Sequence, residues 1–219
     1  MTKLLACPFN RANRQTMSKI KTLSRLVALL LAGAGLLLTG AEARAASNYA
    51  QYARAVLASL PENSGARPDL EAYLDRLASS YRKSNGRKGL IASDMMHEAA
   101  RAQAADMMFA GGSGHTSRQG HSFDQRFAAY AEATLLYRAR GENAASERQK
   151  GPVDEAKAKA LFQLWLESGG HRRNLMKRDY EFVSTGVIQR GDELWAVQIF
   201  WSKPIPPNSN PLVSGFGIQ

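Results

Sequence analysis

The sequence of 219 residues has one cysteine, Cys7, so no intramolecular disulfide can form and a packed core must hold the chain together. Its longest apolar run, Leu26 to Leu38, has 13 residues, short of the ~20 that a helix needs to cross a bilayer. No segment repeats at a fixed period, which excludes solenoids and propellers. Several chemical signatures are missing as well. His97-Glu98-Ala99-Ala100-Arg101 lacks the second histidine of a zinc protease helix, because Arg101 stands where it belongs. A serine nucleophile elbow fails at Ser113, where His115 replaces the second glycine. There is no phosphate-binding P-loop and no dinucleotide fingerprint. What is present, 44% hydrophobic and 22% charged residues, is the composition of an ordinary globular protein.

The net charge of +10 invites a nucleic-acid reading, but the N-terminus accounts for most of it. Residues 1–25 hold six cations (Lys3, Arg11, Arg14, Lys19, Lys21, Arg25) and no acid. The apolar run follows, and then the small-residue pattern Ala43-Arg44-Ala45. A basic region, a short apolar region and an A-x-A site are the parts of a cleavable secretory signal. The expectation is a signal over residues 1–45, with Met17 offering an alternative start that gives ordinary signal length. These residues carry seven of the 29 cations and one of the 19 acids, which leaves 22 against 18. The remainder has no basic stripe interleaved with aromatics, so nucleic acid is not an expected partner. No transmembrane segment is expected once the signal is removed. Export to the periplasm or beyond follows, and no cysteine after the apolar run could take a lipid anchor.

Periodicity then divides the rest. Residues 49–60 and 69–83 read as helices, and Ser84-Asn85-Gly86-Arg87-Lys88 as a linker, giving an N-terminal helical extension over 46–88. The principal domain is expected over 89–203, and a Pro-rich extended tail over 204–219. Within the domain, helices are expected at about 90–109, from the Ser122/Gln125 capping box onward with Phe123, Phe127, Tyr130 and Tyr137 on one side, and at about 154–168. Gly169-Gly170 reads as the stop of the last of these. Phe182 to Gln189 and Glu193 to Trp201 flank Arg190-Gly191-Asp192, a hairpin signal. The second strand places Trp195, Val197, Ile199 and Trp201 on one face and Leu194, Ala196 and Phe200 on the other. A strand apolar on both faces needs cover on both sides, which points to helices above and below a sheet.

Four histidines are candidates for chemistry: His97, His115, His121 and His171. His97 is expected as an exposed helix residue, and His121, just before a helix cap, as a surface residue. Three short patterns hold the other two. They are Gly114-His115-Thr116-Ser117, then Gly141-Glu142-Asn143, then Trp165 through Leu175 with Ser168-Gly169-Gly170-His171 inside it. The strand Leu194 to Phe200 follows.

In that order, these motifs resemble the CAP superfamily (cysteine-rich secretory proteins, antigen 5 and pathogenesis-related proteins), in its disulfide-free bacterial branch, from about Leu90 to Lys203. The resemblance implies an α+β fold, a three-layer α-β-α sandwich, here preceded by the N-terminal helices. It also implies a cleft floored by two histidines and two acids. His115, Glu142 and His171 match three of these. The second acid position falls on Ser168, while Glu167 lies one residue earlier, turned by about 100° on a helix, so the acid pair is reduced to one. Two neutral imidazoles and a carboxylate can share a zinc-like divalent ion, which makes His115, His171 and Glu142 the candidate ligands. The same residues, with Asn143 and Arg172, can instead bond to each other, to water and to loop backbone groups. With no evident nucleophile, the expected function is an exported binding module for a lipid, an envelope polymer or a protein partner. The alternatives are a metal-dependent hydrolase or protease using the same cleft, and a structural envelope protein.

Overall fold

A computed structural model describes residues 48–205. The expected signal over 1–45 and residues 206–219 of the expected tail lie outside the described residues. In chain order the first elements are α1 (48–58), β1 (Ser64–Ala66), α2 (Pro68–Ser84) and β2 (Ile91–Ala92). A 3-10 turn (Asp94–Met96), α3 (His97–Ala110), α4 (Phe123–Ala128), β3 (Leu136–Tyr137) and β4 (Arg140–Glu147) follow. The chain continues through α5 (Glu155–Glu167), α6 (Gly169–Leu175), β5 (Phe182–Arg190), β6 (Glu193–Trp201) and β7 (Pro204–Ile205).

The expected hairpin forms: β5 and β6 pair antiparallel from Phe182↔Trp201 to Arg190↔Glu193. Gly191, at φ 59°, takes the left-handed conformation that so short a turn requires. The sheet order is β1-β5-β6-β4, with β2 also paired to β5. Both faces of β6 are buried, as its sequence demands. Trp195, Val197, Ile199 and Trp201 pack with α3 and Tyr49 of α1. Leu194, Ala196 and Phe200 pack with Leu70 and Leu74 of α2 and with Leu161 and Trp165 of α5. The result is the α-β-α sandwich of an α+β fold.

The alanines of α3 serve a close approach to the sheet. A Cβ on Gly186 of β5 would lie 2.1 Å from the Arg101 backbone nitrogen, so nothing larger than glycine fits there. Residues 48–88, expected as an extension, supply α1, β1 and α2, and α2 covers the same sheet as α5. Pro68 at its first turn, with Asp69 and Glu71 there and Arg82 and Lys83 at its end, suits the helix dipole.

Three expected elements differ. The helix expected at 90–109 begins at His97, because Ile91 and Ala92 pair with Phe182 and Val183 instead. The Ser122/Gln125 capping box forms, but α4 stops at Ala128 and Tyr137 lies on β3, where it packs edge-on against Phe127 at 5.2 Å. Gly169-Gly170 opens α6 rather than only closing α5. Ser168 breaks the helix with an extended backbone, and its hydroxyl accepts from the His171 amide at 3.5 Å. At the C-terminal end, Pro204 and Ile205 pair with β3.

Candidate functional site

The site is built across β4, the edge strand of the sheet. Consecutive strand residues point to opposite faces. Glu142, opposite Ile199, therefore faces the α3 side, and Asn143, opposite Gln198, faces the α5 and α6 side. Each contacts one of the two histidines.

His115 sits in the loop after α3. That helix ends at Gly111 in the left-handed conformation (φ 67°), and Gln103 Nε2 holds the loop by donating to the carbonyls of Gly114 (2.8 Å) and Thr116 (3.3 Å). His115 Nδ1 lies 2.9 Å from Glu142 Oε1. The carboxylate can only accept, so this nitrogen carries the proton and the tautomer is fixed. The Glu142 side chain is 2% exposed and that of His115 is 54% exposed, so the pair runs from the interior to the opening.

Beneath them is Arg126 of α4, whose side chain is 0% exposed. Its Nη1 donates to Glu142 Oε2 and its Nη2 to Glu142 Oε1, each at 2.9 Å. The same Nη2 donates to the His115 carbonyl at 3.0 Å. A two-pronged guanidinium–carboxylate contact is the strongest common form of ion pair, and this one is fully enclosed.

On the other side, His171 lies in the first turn of α6. Asn143 Nδ2 donates to its carbonyl at 3.2 Å. Asn174 Nδ2 donates to Glu142 O and Asn143 Oδ1, both at 3.0 Å, and Asn174 Oδ1 accepts from the Tyr180 hydroxyl at 2.7 Å. Gly141 is needed beside them, since a Cβ there would come within 2.1 Å of the Tyr180 hydroxyl. The two imidazoles face each other with ring centroids 6.3 Å apart. Their proton affinities are pushed apart. The Glu142 hydrogen bond raises the pKa of His115, while burial and the nearby His115 charge lower that of His171.

These residues line a cleft of ≈760 Å³. Its lining includes Ser168, Arg173 and Lys177 besides His115, Glu142, Asn143 and His171. Glu167 is not among them: it is exposed at the end of α5 and accepts from Gln163 Nε2 at 3.3 Å. His97 lies elsewhere, 3.3 Å from Asp94 Oδ1. His121 is more enclosed than expected, half-buried edge-on to Tyr49 at 5.2 Å.

The metal reading does not fit the donors. Both oxygens of Glu142 are held by Arg126, one also by His115, and the fixed proton of His115 Nδ1 faces the carboxylate. Among the described residues no group of three His, Cys, Asp or Glu side chains is arranged to hold an ion. His115 and Glu142 are therefore a hydrogen-bonded pair on a buried cation, with the His171 ring set 6.3 Å from that of His115. Arg126 was the residue that sequence reasoning missed. A signal existed: it stands between Phe123 and Phe127 and four residues before Tyr130, on the apolar side of a short helix. A cation there requires a buried acid.

Comparison with known proteins agrees with this architecture. Residues 76–200 match the family described as the cysteine-rich secretory protein family, CAP. Over 163 residues the chain is 26% identical to the uncharacterized protein YkwD of Bacillus subtilis (strain 168), covering 73% of this chain and 59% of that one. The chain thus spans less than two thirds of the relative's length. Among solved structures, an outer surface protein from Borrelia burgdorferi aligns with a TM-score of 0.52 at 18% identity, covering 62% of this chain and 93% of that one. An extracellular protein containing an SCP domain from Bacillus anthracis str. Ames aligns at 0.51 and 20% identity, covering 62% of this chain and 41% of that one. At these identities the structural matches show the fold.

Proposed function

Because this chain belongs to the cysteine-rich secretory protein (CAP) family, we propose that it is an exported binding module whose cleft takes an anionic ligand of the cell envelope. The signal-like N-terminus and the extracellular and outer-surface relatives support export. Among the described residues, no helix is long and apolar enough to cross a membrane.

One observation carries the ligand class. Glu142, the acid lining the cleft, is neutralised from below by Arg126, while His115, His171, Arg173 and Lys177 line it with donors. Such a surface favours phosphate or carboxylate groups, which occur on lipid headgroups and on envelope polymers. The raised proton affinity of His115 adds a charge to the cleft as pH falls.

The test uses the chain from residue 46 onward with vesicles containing anionic lipid, vesicles of neutral lipid, and a soluble anionic envelope polymer. Binding to one anionic probe, lost in His115→Ala and in the Arg173→Ala/Lys177→Ala double variant, is expected. Salt should weaken it, as it does charge-driven contacts. Equal binding to neutral and anionic vesicles, or binding that survives both variants, would overturn the reading. The hydrolase alternative has one point in favour, the fixed tautomer of His115. However, the Ser168 hydroxyl in the cleft caps α6 at the His171 amide.

A further inference from the structure

We infer that Arg126 is a built-in cation occupying the electrostatic place of a divalent ion, so that the His115/Glu142/His171 cleft is closed to zinc while Arg126 is present.

An ionised carboxylate offers about four acceptor positions. Arg126 takes one on each oxygen and His115 Nδ1 takes another on Oε1. The one position left is on Oε2, which already accepts from Arg126 Nη1, so a metal there must either sit against the guanidinium or push it aside, and the Arg126 side chain is 0% exposed. Displaced, that guanidinium would be left as a buried charge without its partner. If it stayed, it would repel the incoming ion.

Other contacts fix it in place. Its Nη2 also donates to the His115 carbonyl, and the guanidinium lies over the Phe123 ring at 5.6 Å. His115 is constrained too, because its Nδ1 proton faces Glu142. Only Nε2 remains, and a zinc ligand must present a neutral lone pair. Without Glu142, His115 and His171 supply one nitrogen each, which is too few for a typical protein zinc site.

Replacing Arg126 with an apolar side chain of similar length frees Glu142 Oε2 and leaves Oε1 only its bond from His115 Nδ1. Zinc that displaces that Nδ1 proton then finds His115, Glu142 and His171 as three donors, with an open position for water, the ligand count of a catalytic zinc site. The ion's charge then compensates the carboxylate in place of the guanidinium.

The test titrates zinc by calorimetry and chelator competition, with folding of each variant checked by circular dichroism. The unaltered chain is expected to show no micromolar zinc site, and Glu142→Gln no change from that. Arg126→Met is expected to bind zinc at least tenfold more tightly and to gain melting temperature with zinc. Both gains should disappear in Arg126→Met/Glu142→Gln. Arg126→Lys, which keeps the charge, should behave like the unaltered chain. A folded Arg126→Met that binds zinc no better than the unaltered chain would overturn the inference.

The unaltered chain alone is also decisive, whatever the variants do. In its NMR spectrum the proton on His115 Nδ1 should keep its resonance in tenfold excess zinc. Displacement of that proton by stoichiometric zinc would sink the idea. Because zinc is the probe here, the outcome is separate from that of the vesicle and polymer measurements.

Discussion

Glu142, on the α3 face of the sheet, receives two hydrogen bonds of 2.9 Å from the buried guanidinium of Arg126. Asp75, reaching the opposite face from α2, accepts instead from the Thr185 hydroxyl at 2.5 Å and from Gln198 Nε2 at 3.5 Å. No cation bonds to Asp75 among the described residues, although a neighbouring acid, Glu71, is matched by Arg101 at 2.7 and 2.5 Å. Burial raises the pKa of Asp75 to about 6, and the two neutral donors offset only part of that. The contrast separates two uses of a buried carboxyl. Beside the cleft, it is clamped by a guanidinium and orients a histidine. On the α2 side, it folds most easily as a neutral acid.

The largest expected effect tests the locked pair. Arg126→Met leaves Glu142 enclosed without its counter-charge and should cost about 3–5 kcal/mol in urea denaturation without added metal. A loss below about 1 kcal/mol would show that the ion pair is no more than a surface contact.

The second effect has the opposite sign. Asp75 binds its proton more tightly folded than unfolded, so folding stability falls as pH rises from about 4 through about 6. Asp75→Asn removes that penalty while keeping an acceptor for Thr185. It should gain on the order of 2–3 kcal/mol at pH 7 and nothing at pH 4. Parallel pH profiles for the two proteins would abolish the contrast between the sites.

A smaller effect sharpens the cleft half. In Glu142→Gln the charged acceptor that favours protonated His115 becomes a neutral amide, so the His115 pKa, read by NMR titration, should fall. An unchanged value would mean that Glu142 does not control the imidazole. The smallest effect is Glu167→Ala, which should alter stability by less than about 0.5 kcal/mol and leave anionic-ligand binding intact, since the residue lies outside the cleft.

The parts of this fold that were legible in the sequence are those where side chains announce their surroundings. β6 carries large apolar residues on both faces, so its burial between helix layers could be read directly. The capping box at Ser122 and Gln125 and the turn at Gly191 form where their chemistry places them. β4 was hidden because Arg-Gly-Glu-Asn-Ala-Ala-Ser-Glu has no large apolar alternation. Pairing with β6 makes it a strand, and tertiary context outweighs propensity. α6 was masked by its two glycines, which resemble a stop until Ser168 is seen to cap the next helix. The proximity of His115, Glu142 and His171 followed from family resemblance, because 27 and 29 residues of separation carry no geometric information. Arg126 escaped because a cation within an aromatic stripe has meaning only once its acid is located.

The bond from Asn174 Nδ2 to the Glu142 carbonyl also limits how this molecule can associate with others. β4 is the outermost strand on its side, and unpaired edge carbonyls invite extended chains to zip on. Here a side-chain amide imitates the backbone amide of a neighbouring strand at the residue beside the cleft. An arriving peptide finds that position taken, so β-augmentation is blocked there, as is edge-to-edge polymerisation of the protein through Glu142. A chain that extended the sheet at this opening would first have to displace Asn174 from that carbonyl.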